Sequence, residues 1–311
     1  MKSSQMTHPP KGFHAGLLSL FFFPIALGLL AARPIEVSAA FKAPTVLLVD
    51  KKQNELYVTY YRENKYEVIK KYRTTVGMVT GDKEVEADLK TPEGVYFFTS
   101  RLTPPNLKSK FGAMAFYMNY PNTFDKLAGS TGYDIMLHST NEPSRLQFDL
   151  DSEGCIVLTD KEIKEVQEYV RINLTPILVF DEIQSDYWHP ESDGKLKKFF
   201  ADWIAAWTGK NIDGYISKYH SAFTANGRNL NQYRVYKNEL NKNYEQINVS
   251  PEKVMYYRHP KYSVISFIQN YSSTLKNGAK GHQSRGTKML LVGEEKGEFK
   301  IIEEDFTDST W

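Results

Sequence analysis

The sequence predicts a mostly-β domain followed by an α+β domain. Between residues 44 and 183, short runs rich in Val, Ile, Tyr and Phe alternate with polar turns, and one segment, Asp160–Ile172, has helical spacing. After a polar stretch at 184–195, helix-like segments come first and strand-like segments follow. We therefore expect a β-rich domain over 44–183, a linker over 184–195 and an α+β domain over 196–308.

The first domain should be a meander of short strands closed by one helix. The strands are expected at 45–50, 55–61, 66–72, 74–77, 95–98, within the aromatic stretch 111–125, at 133–138, 155–158 and 175–180. The helix Asp160–Ile172 can be capped by Thr159 or Asp160, since both side chains accept hydrogen bonds from the first helical N–H groups.

The second domain opens with an amphipathic helix. Its apolar stripe consists of Phe199, Phe200, Trp203, Ile204 and Trp207. Two further helices and four strands are expected at 211–220, 230–246, 253–258, 262–272, 286–293 and 298–305.

Residues 1–39 have the pattern of an export signal. Lys2 and Lys11 precede an apolar run at 15–32, and Val37-Ser38-Ala39 satisfies the small-x-small rule for cleavage. An uncleaved anchor is the alternative, although Pro24 interrupts the apolar run. We expect the mature protein to begin near Ala40 and to act in the periplasm or cell envelope. The net charge of +2 argues against a nucleic-acid partner.

The chain contains one cysteine, Cys155, which follows a glycine and precedes an apolar run. His138 ends another apolar run 17 positions upstream (155 − 138). A buried small residue and an intermolecular disulfide are two alternatives for a lone exported cysteine. A third is nucleophilic catalysis, in which an imidazole takes the thiol proton. Gly154 would allow substrate to approach the backbone, and Ser139 is the nearest group in sequence that could orient the imidazole.

No cofactor or metal site is expected. The other histidines are scattered without ligand spacing, and the sequence contains no phosphate-binding glycine loop.

The pattern His138-Ser139, then Ser152-x-Gly154-Cys155, resembles the signature of L,D-transpeptidases of the YkuD type. The upstream block Gly81-Asp82-Lys83…Lys90-Thr91-Pro92-Glu93-Gly94 and the Tyr120-Pro121 segment are also typical of that family. The resemblance covers about 44–183. It implies a YkuD-like β-sandwich that performs acyl transfer on peptidoglycan stem peptides.

The same resemblance assigns roles to individual residues. Cys155 would be the nucleophile, His138 the general base and acid, and Ser139 the group that orients His138 through its backbone. The turn from Ser152 through Gly154 would form part of the oxyanion site. Tyr120 lies in the aromatic stretch that would either line a substrate groove or form the edge of the core.

Two residues depart from the pattern of many family members. Glu153 occupies a position that is often histidine, and a carboxylate there would disfavour the thiolate unless it points away or is paired. Val157 occupies a position that is often arginine or asparagine. Arg145 is a candidate substitute for binding the substrate carboxylate, the alternative being a solvated surface arginine.

The segment Trp203–Tyr219 resembles the opening of a nuclear-transport-factor-2-like cone domain, whose pocket would bind a glycan or protein ligand or mediate assembly. The pairing of the two domains is similar to L,D-carboxypeptidases that trim stem tetrapeptides in helical bacteria. The resemblances therefore imply an L,D-transpeptidase, with an L,D-carboxypeptidase that affects cell shape as the alternative. A catalytically silent wall-binding module is the alternative from another class.

Overall fold

An eight-stranded sheet and a four-stranded sheet organise the protein in the computed structural model, which describes residues 44–63, 65–189 and 193–308. The predicted export signal at 1–39 lies outside the described residues. Among the helices that are described, none has the length and apolar character needed to cross a membrane.

The first sheet contains most strands of the N-terminal part of the chain. The strands of this part are β1 (Thr45–Asp50), β2 (Glu55–Arg62), β3 (Lys65–Arg73), β4 (Val76–Gly77), β5 (Gly94–Leu102), β6 (Ala115–Met118), β7 (Met136–Thr140), β8 (Leu150–Ser152), β9 (Ile156–Thr159) and β10 (Pro176–Phe180). The order in the sheet is β3-β2-β1-β10-β5-β6-β7-β9. The pairs β1–β10 and β7–β9 are parallel, and the other pairs are antiparallel.

The sequence predicts that residues 74–77 continue the meander, but in the structure they do not. β4 leaves the main sheet and forms a separate parallel pair with β8. This pairing places β4 beside the segment that leads into Cys155.

Both faces of the first sheet are covered by apolar side chains. Leu47 and Val49 of β1 belong to one buried cluster, whereas Val46 and Leu48 belong to another on the opposite face. A strand buried on both faces reads as a continuous apolar run, which explains the sequence of β1. Tyr257 contributes to the second cluster, so the C-terminal domain covers that face.

Two helices accompany the first sheet, α1 (Thr123–Leu127) and α2 (Asp160–Val166). Thr159 caps α2 in a reciprocal box with Glu162, as one of the two predicted caps. α2 is shorter than the predicted 160–172 and continues only as a 3₁₀ turn at Gln167–Tyr169. The fully buried side chains of Ile163 and Val166 hold α2 against the sheet.

Helices pack on one face of the second sheet. Its elements are α3 (Gly194–Thr208), α4 (Ile212–Ile216), β11 (Thr224–Ala225), β12 (Arg228–Asn229), α5 (Leu230–Asn243), β13 (Tyr244–Arg258), β14 (Ser263–Leu275), β15 (Lys280–Glu295) and β16 (Glu298–Asp308). The last four strands form an antiparallel sheet in chain order. Trp203 of α3 is fully buried and packs on Phe200 and Phe267, so the predicted apolar stripe faces the sheet.

The turn between β13 and β14 fixes the second domain to the first. The Tyr262 hydroxyl lies 2.9 Å from both the backbone nitrogen and the carbonyl oxygen of Val95, and accepts a 2.6 Å hydrogen bond from Asn122 Nδ2. Lys261 Nζ lies 2.6 Å from Asp82 Oδ2. These contacts reach the start of β5, the segment before it and the N-cap of α1.

Candidate active site

His138 lies on β7, and Cys155 directly precedes β9, the parallel neighbour of β7. The register of β7 and β9 pairs Leu137 with Ile156 and His138 with Val157. Because alternate residues of a strand point to the same face, Met136, His138 and Cys155 share one face of the sheet. Met136 and Cys155 accordingly belong to the same apolar cluster. The Cys155 thiol is 3.7 Å from the Asp134 carbonyl oxygen.

The turn that presents Cys155 is held by Ser152. Ser152 Oγ donates a 2.6 Å hydrogen bond to the Cys155 carbonyl and accepts one of 3.1 Å from the Gly154 N–H. Gly154 has a φ of 120°, and a Cβ on it would lie 2.7 Å from the Lys90 carbonyl oxygen. Glycine is therefore required here both by the backbone conformation and by the close approach of the neighbouring chain.

His138 is held in one tautomer by its own neighbour. Its Nδ1 lies 2.5 Å from the Ser139 carbonyl oxygen, which can only accept, so Nδ1 carries the proton and Nε2 is left as the acceptor. The ring is buried, and the edge of Phe111 packs against it with centroids 4.9 Å apart. Burial lowers the pKa of His138 to about 4, and the positive charges of Arg145 and Lys110 act in the same direction.

The Cys155 thiol is protonated in the resting site. Burial raises its pKa to about 11, and the nearby carboxylates of Glu153 and Asp134 act in the same direction. The Met136 backbone and Lys110 oppose this shift. With the thiol protonated and the imidazole neutral, an attack by the sulfur would require the thiol proton to move to a base, as in general-base catalysis.

The side chain of Ser139 shapes the wall next to His138. Its Oγ accepts a 2.9 Å hydrogen bond from the Ala113 N–H, and Asp160 Oδ1 accepts another of 2.8 Å from the same group. Gly112 has a φ of 64°, and a Cβ there would lie 2.4 Å from Ser139 Oγ. These contacts could not be predicted from the sequence, because they join residues that are far apart in the chain.

A groove of about 510 Å³ opens at Cys155. It is lined by three lysines, three carboxylates and two tyrosines, namely Lys83, Lys108, Lys110, Glu86, Asp134, Glu153, Tyr117 and Tyr133. Glu153 was singled out from the sequence, whereas Lys110 was not. Within the described residues, no group of three His, Cys, Asp or Glu side chains is arranged to hold a metal ion.

Tyr120 and Arg145 lie away from the lining of this groove. Tyr120 is buried, and its hydroxyl donates to the Thr131 carbonyl at 3.1 Å. Arg145 Nε donates to Asp151 Oδ2 at 2.7 Å. The structure thus places Tyr120 in the core and Arg145 in an ion pair that braces the segment before Cys155.

A larger cavity of about 710 Å³ lies in the C-terminal domain. The ammonium of Lys237 lies 4.7, 5.2 and 5.4 Å from the ring centroids of Trp207, Tyr215 and Tyr233. Burial lowers the pKa of Lys237 to about 8, against the attraction of Glu304. Gln269, which also lines the cavity, is buried and its Oε1 has no hydrogen-bond partner in the described part of the chain.

Two family profiles match the chain. The L,D-transpeptidase catalytic domain (YkuD) matches residues 44–179, and the Cds6 C-terminal NTF2-like domain matches residues 195–305. The predicted fold class is thereby confirmed in both parts. A comparison with curated protein sequences yielded no match.

Solved structures of two proteins resemble most of the two-domain chain. Bd1075 of Bdellovibrio bacteriovorus is 31% identical with a TM-score of 0.74, over 88% of this chain and 95% of that one. Pgp2 of Campylobacter jejuni, described as a helical cell shape determining protein, is 24% identical with a TM-score of 0.63, over 84% and 91%. The second likeness shows the fold alone. On the family profiles and the likeness to Bd1075, the chain belongs to the L,D-transpeptidase (YkuD) family of peptidoglycan enzymes and carries a Cds6-type NTF2-like domain after its catalytic domain.

Proposed function

We propose that this chain is an exported enzyme that breaks the bond before the terminal D-alanine of peptidoglycan stem tetrapeptides through a Cys155 acyl-enzyme. The observation that carries the proposal is the shared face of Cys155 and His138, with His138 Nδ1 fixed on the Ser139 carbonyl. His138 Nε2 takes the thiol proton, the sulfur attacks the carbonyl carbon, and the same nitrogen then protonates the leaving amine.

The remaining predicted residues support this step. Ser152 and Gly154 hold the turn on which the developing oxyanion would be bound. Since the Gly154 N–H is directed to Ser152 Oγ, we assign Gly154 to shaping the turn rather than to donating to the oxyanion. Arg145 keeps Asp151 paired next to this turn. Tyr120 supports the substrate groove from behind, through its bond to Thr131.

The acyl group then passes to an amine or to water. Transfer to an amine is the reaction named in the matching family, and it is our first assignment. Hydrolysis, which would make the chain an L,D-carboxypeptidase, is favoured by a different observation. The two-domain organisation is shared with a protein described as determining helical cell shape, and trimming of tetrapeptides would alter the wall in a way that could change shape.

Purified mature protein should release D-alanine from disaccharide-tetrapeptide and form a covalent adduct with a carbapenem. Cys155→Ala and His138→Gln should abolish release, whereas His189→Gln, on an exposed histidine of the linker, should not. Mass spectrometry separates the acceptors, since tripeptide alone means hydrolysis and a cross-linked dimer means transpeptidation. Absence of both D-alanine release and adduct in the wild-type protein would leave the silent wall-binding module as the explanation.

We also propose that the cavity of the second domain binds a glycan or protein ligand of the cell wall. Lys237, the unpartnered Gln269 Oε1 and the ion pair between Lys288 and Glu304 offer polar contacts among aromatic side chains. Titration of disaccharide-tripeptide against the wild-type protein and Gln269→Leu tests this. Equal binding by the two proteins would remove Gln269 from the site.

A further inference from the structure

The groove at Cys155 contains a lysine, Lys110, that takes no part in the proposed catalytic step. Of the three lysines that line the groove, Lys83 is buried and paired with Asp88 at 2.7 Å. Lys110 is exposed, and its ammonium lies 4.9 Å from the centroid of the Phe111 ring. In the described part of the chain, no carboxylate lies within ion-pair distance of Lys110.

Lys110 lies on the histidine side of the groove. The Phe111 ring that it covers packs edge-on against the His138 imidazole, with centroids 4.9 Å apart. The charge of Lys110 is close enough to both members of the catalytic pair to lower the pKa of each, although burial is the larger influence on both. The ammonium and the imidazole therefore both contact the Phe111 ring, and Lys110, Phe111 and Cys155 line the same groove.

The chemistry of the leaving group brings a carboxylate to this side. As the Cys155 Sγ–carbon bond forms, the carbon–nitrogen bond breaks, and the proton taken from the thiol passes from His138 Nε2 to the departing nitrogen. The departing group must therefore lie next to His138. In an α-amino acid the carboxylate is separated from that nitrogen by one carbon, so a free C-terminal carboxylate comes to the same flank.

The carboxylates of Glu86, Asp134 and Glu153 also line the groove and would repel an anionic substrate group. We propose that Lys110 binds the terminal carboxylate of the departing D-amino acid and so selects stem peptides with a free C-terminus. This inference rests on the proposed function. Lys110 would thereby supply the carboxylate-binding group that the apolar Val157 cannot provide.

The test compares disaccharide-tetrapeptide with the same compound carrying a C-terminal carboxamide. A hydrogen bond to a charged group corresponds to a preference of about tenfold to a hundredfold in kcat/KM, so we expect the wild-type protein to prefer the acid by that factor. Lys110→Met should lose this preference by slowing the acid to the rate of the amide. Lys110→Arg should retain part of it, and Lys108→Met, on the neighbouring exposed lysine of the groove, should keep it.

The outcomes distinguish this inference from the function on which it rests. Release of D-alanine or D-alaninamide at equal rates by the wild-type protein would overturn the role of Lys110 alone. So would a Lys110→Met variant that keeps the acid preference, or one that loses the same factor on both substrates. Failure of the wild-type protein to release either product would overturn the proposed function and this inference together.

Discussion

His138 Nδ1 lies 2.5 Å from the carbonyl oxygen of Ser139, the next residue in the chain. The group that orients the His138 imidazole is thus a backbone atom and not a carboxylate. A carbonyl fixes the tautomer without adding a negative charge that would stabilise the imidazolium. Burial lowers the pKa of His138 to about 4 although the hydrogen bond to the Ser139 carbonyl acts in the opposite direction, so the imidazole is neutral over most of the pH range.

Because the Cys155 thiol and the His138 imidazole are both neutral, we expect activity to be constant over a broad pH range. Because burial lowers the pKa of His138 to about 4, the base is deprotonated above that pH and becomes protonated below it. We expect kcat/KM for D-alanine release to be flat from about pH 5 to about pH 8 and to fall below about pH 4. Initial rates across this range check the prediction, and an acid limb centred near the ordinary histidine value of about 6.5 would contradict it.

Gly154→Ala should damage both stability and activity. The substitution places a Cβ 2.7 Å from the Lys90 carbonyl oxygen, in a backbone with φ of 120°. Gly129→Ala is the matched control, since Gly129 has φ of 83° but no atom within 4 Å of the added Cβ. The control should cost about 1 kcal/mol of unfolding free energy from backbone strain alone. Gly154→Ala should cost more and reduce D-alanine release at least about tenfold, because the turn carrying Cys155 must move.

Denaturant titrations and initial rates of the two variants measure these effects. Equal losses of stability with unchanged release would show that the contact with Lys90 does not fix the turn.

The buried imidazole of His259 should make the free energy of unfolding depend on pH, independently of catalysis. Its Nε2 donates a 2.9 Å hydrogen bond to the Val179 carbonyl, and burial lowers its pKa to about 3. The unfolded chain binds the proton below about pH 6.5, whereas the folded chain does not, so stability falls as the pH drops from about 6.5 towards 3. His259→Gln should remove up to about 1.4 kcal/mol per pH unit from this slope.

Urea unfolding at several pH values between about 7 and 4 checks the slope. The wild-type protein measured at the same pH values is the control. His138 contributes in the same direction, so part of the slope should persist in His259→Gln.

The sequence predicted the features that depend on residues close together in the chain. Ile156, Val157 and Leu158 form a short apolar run, and their complete burial follows from that pattern. The spacing of Ile163 and Val166 gave the helix at the right start, with Thr159 as its cap. The parallel pairing that brings His138 to the same face as Cys155 is not local. It could be expected only from the resemblance of several ordered motifs to a known family.

Long-range pairing explains the differences between prediction and structure. Tyr244–Glu252 is polar and was assigned partly to a helix, yet it forms the first half of β13 because the tail of β14 offers it a partner. Residues 74–77 have a strand composition, but their partner is β8 and not the preceding strand. Lys110 was not singled out, since nothing in the sequence shows that the Phe111 ring beside it contacts His138.

Lys261 joins the second domain to the wall of the groove. Its ammonium lies 2.6 Å from Asp82 Oδ2 and 2.9 Å from the Glu93 carbonyl, and Asp82 Oδ1 accepts the Glu93 N–H at 2.7 Å. The segment between Asp82 and Glu93 contributes Lys83, Glu86, Ala87 and Leu89 to the groove.

Lys261→Met should therefore loosen this wall although it lies outside the catalytic domain. We expect a loss of about 1–2 kcal/mol in unfolding free energy, because Asp82 loses its cation in a half-buried position. KM for disaccharide-tetrapeptide should rise more than kcat falls, since the hydrogen bonds of Lys261 go to Asp82 and Glu93 and not to Cys155 or His138. Exposed Lys276→Met, which removes the same charge from the second domain, should change neither value. An unchanged KM in Lys261→Met would mean that the second domain does not shape the groove through this contact.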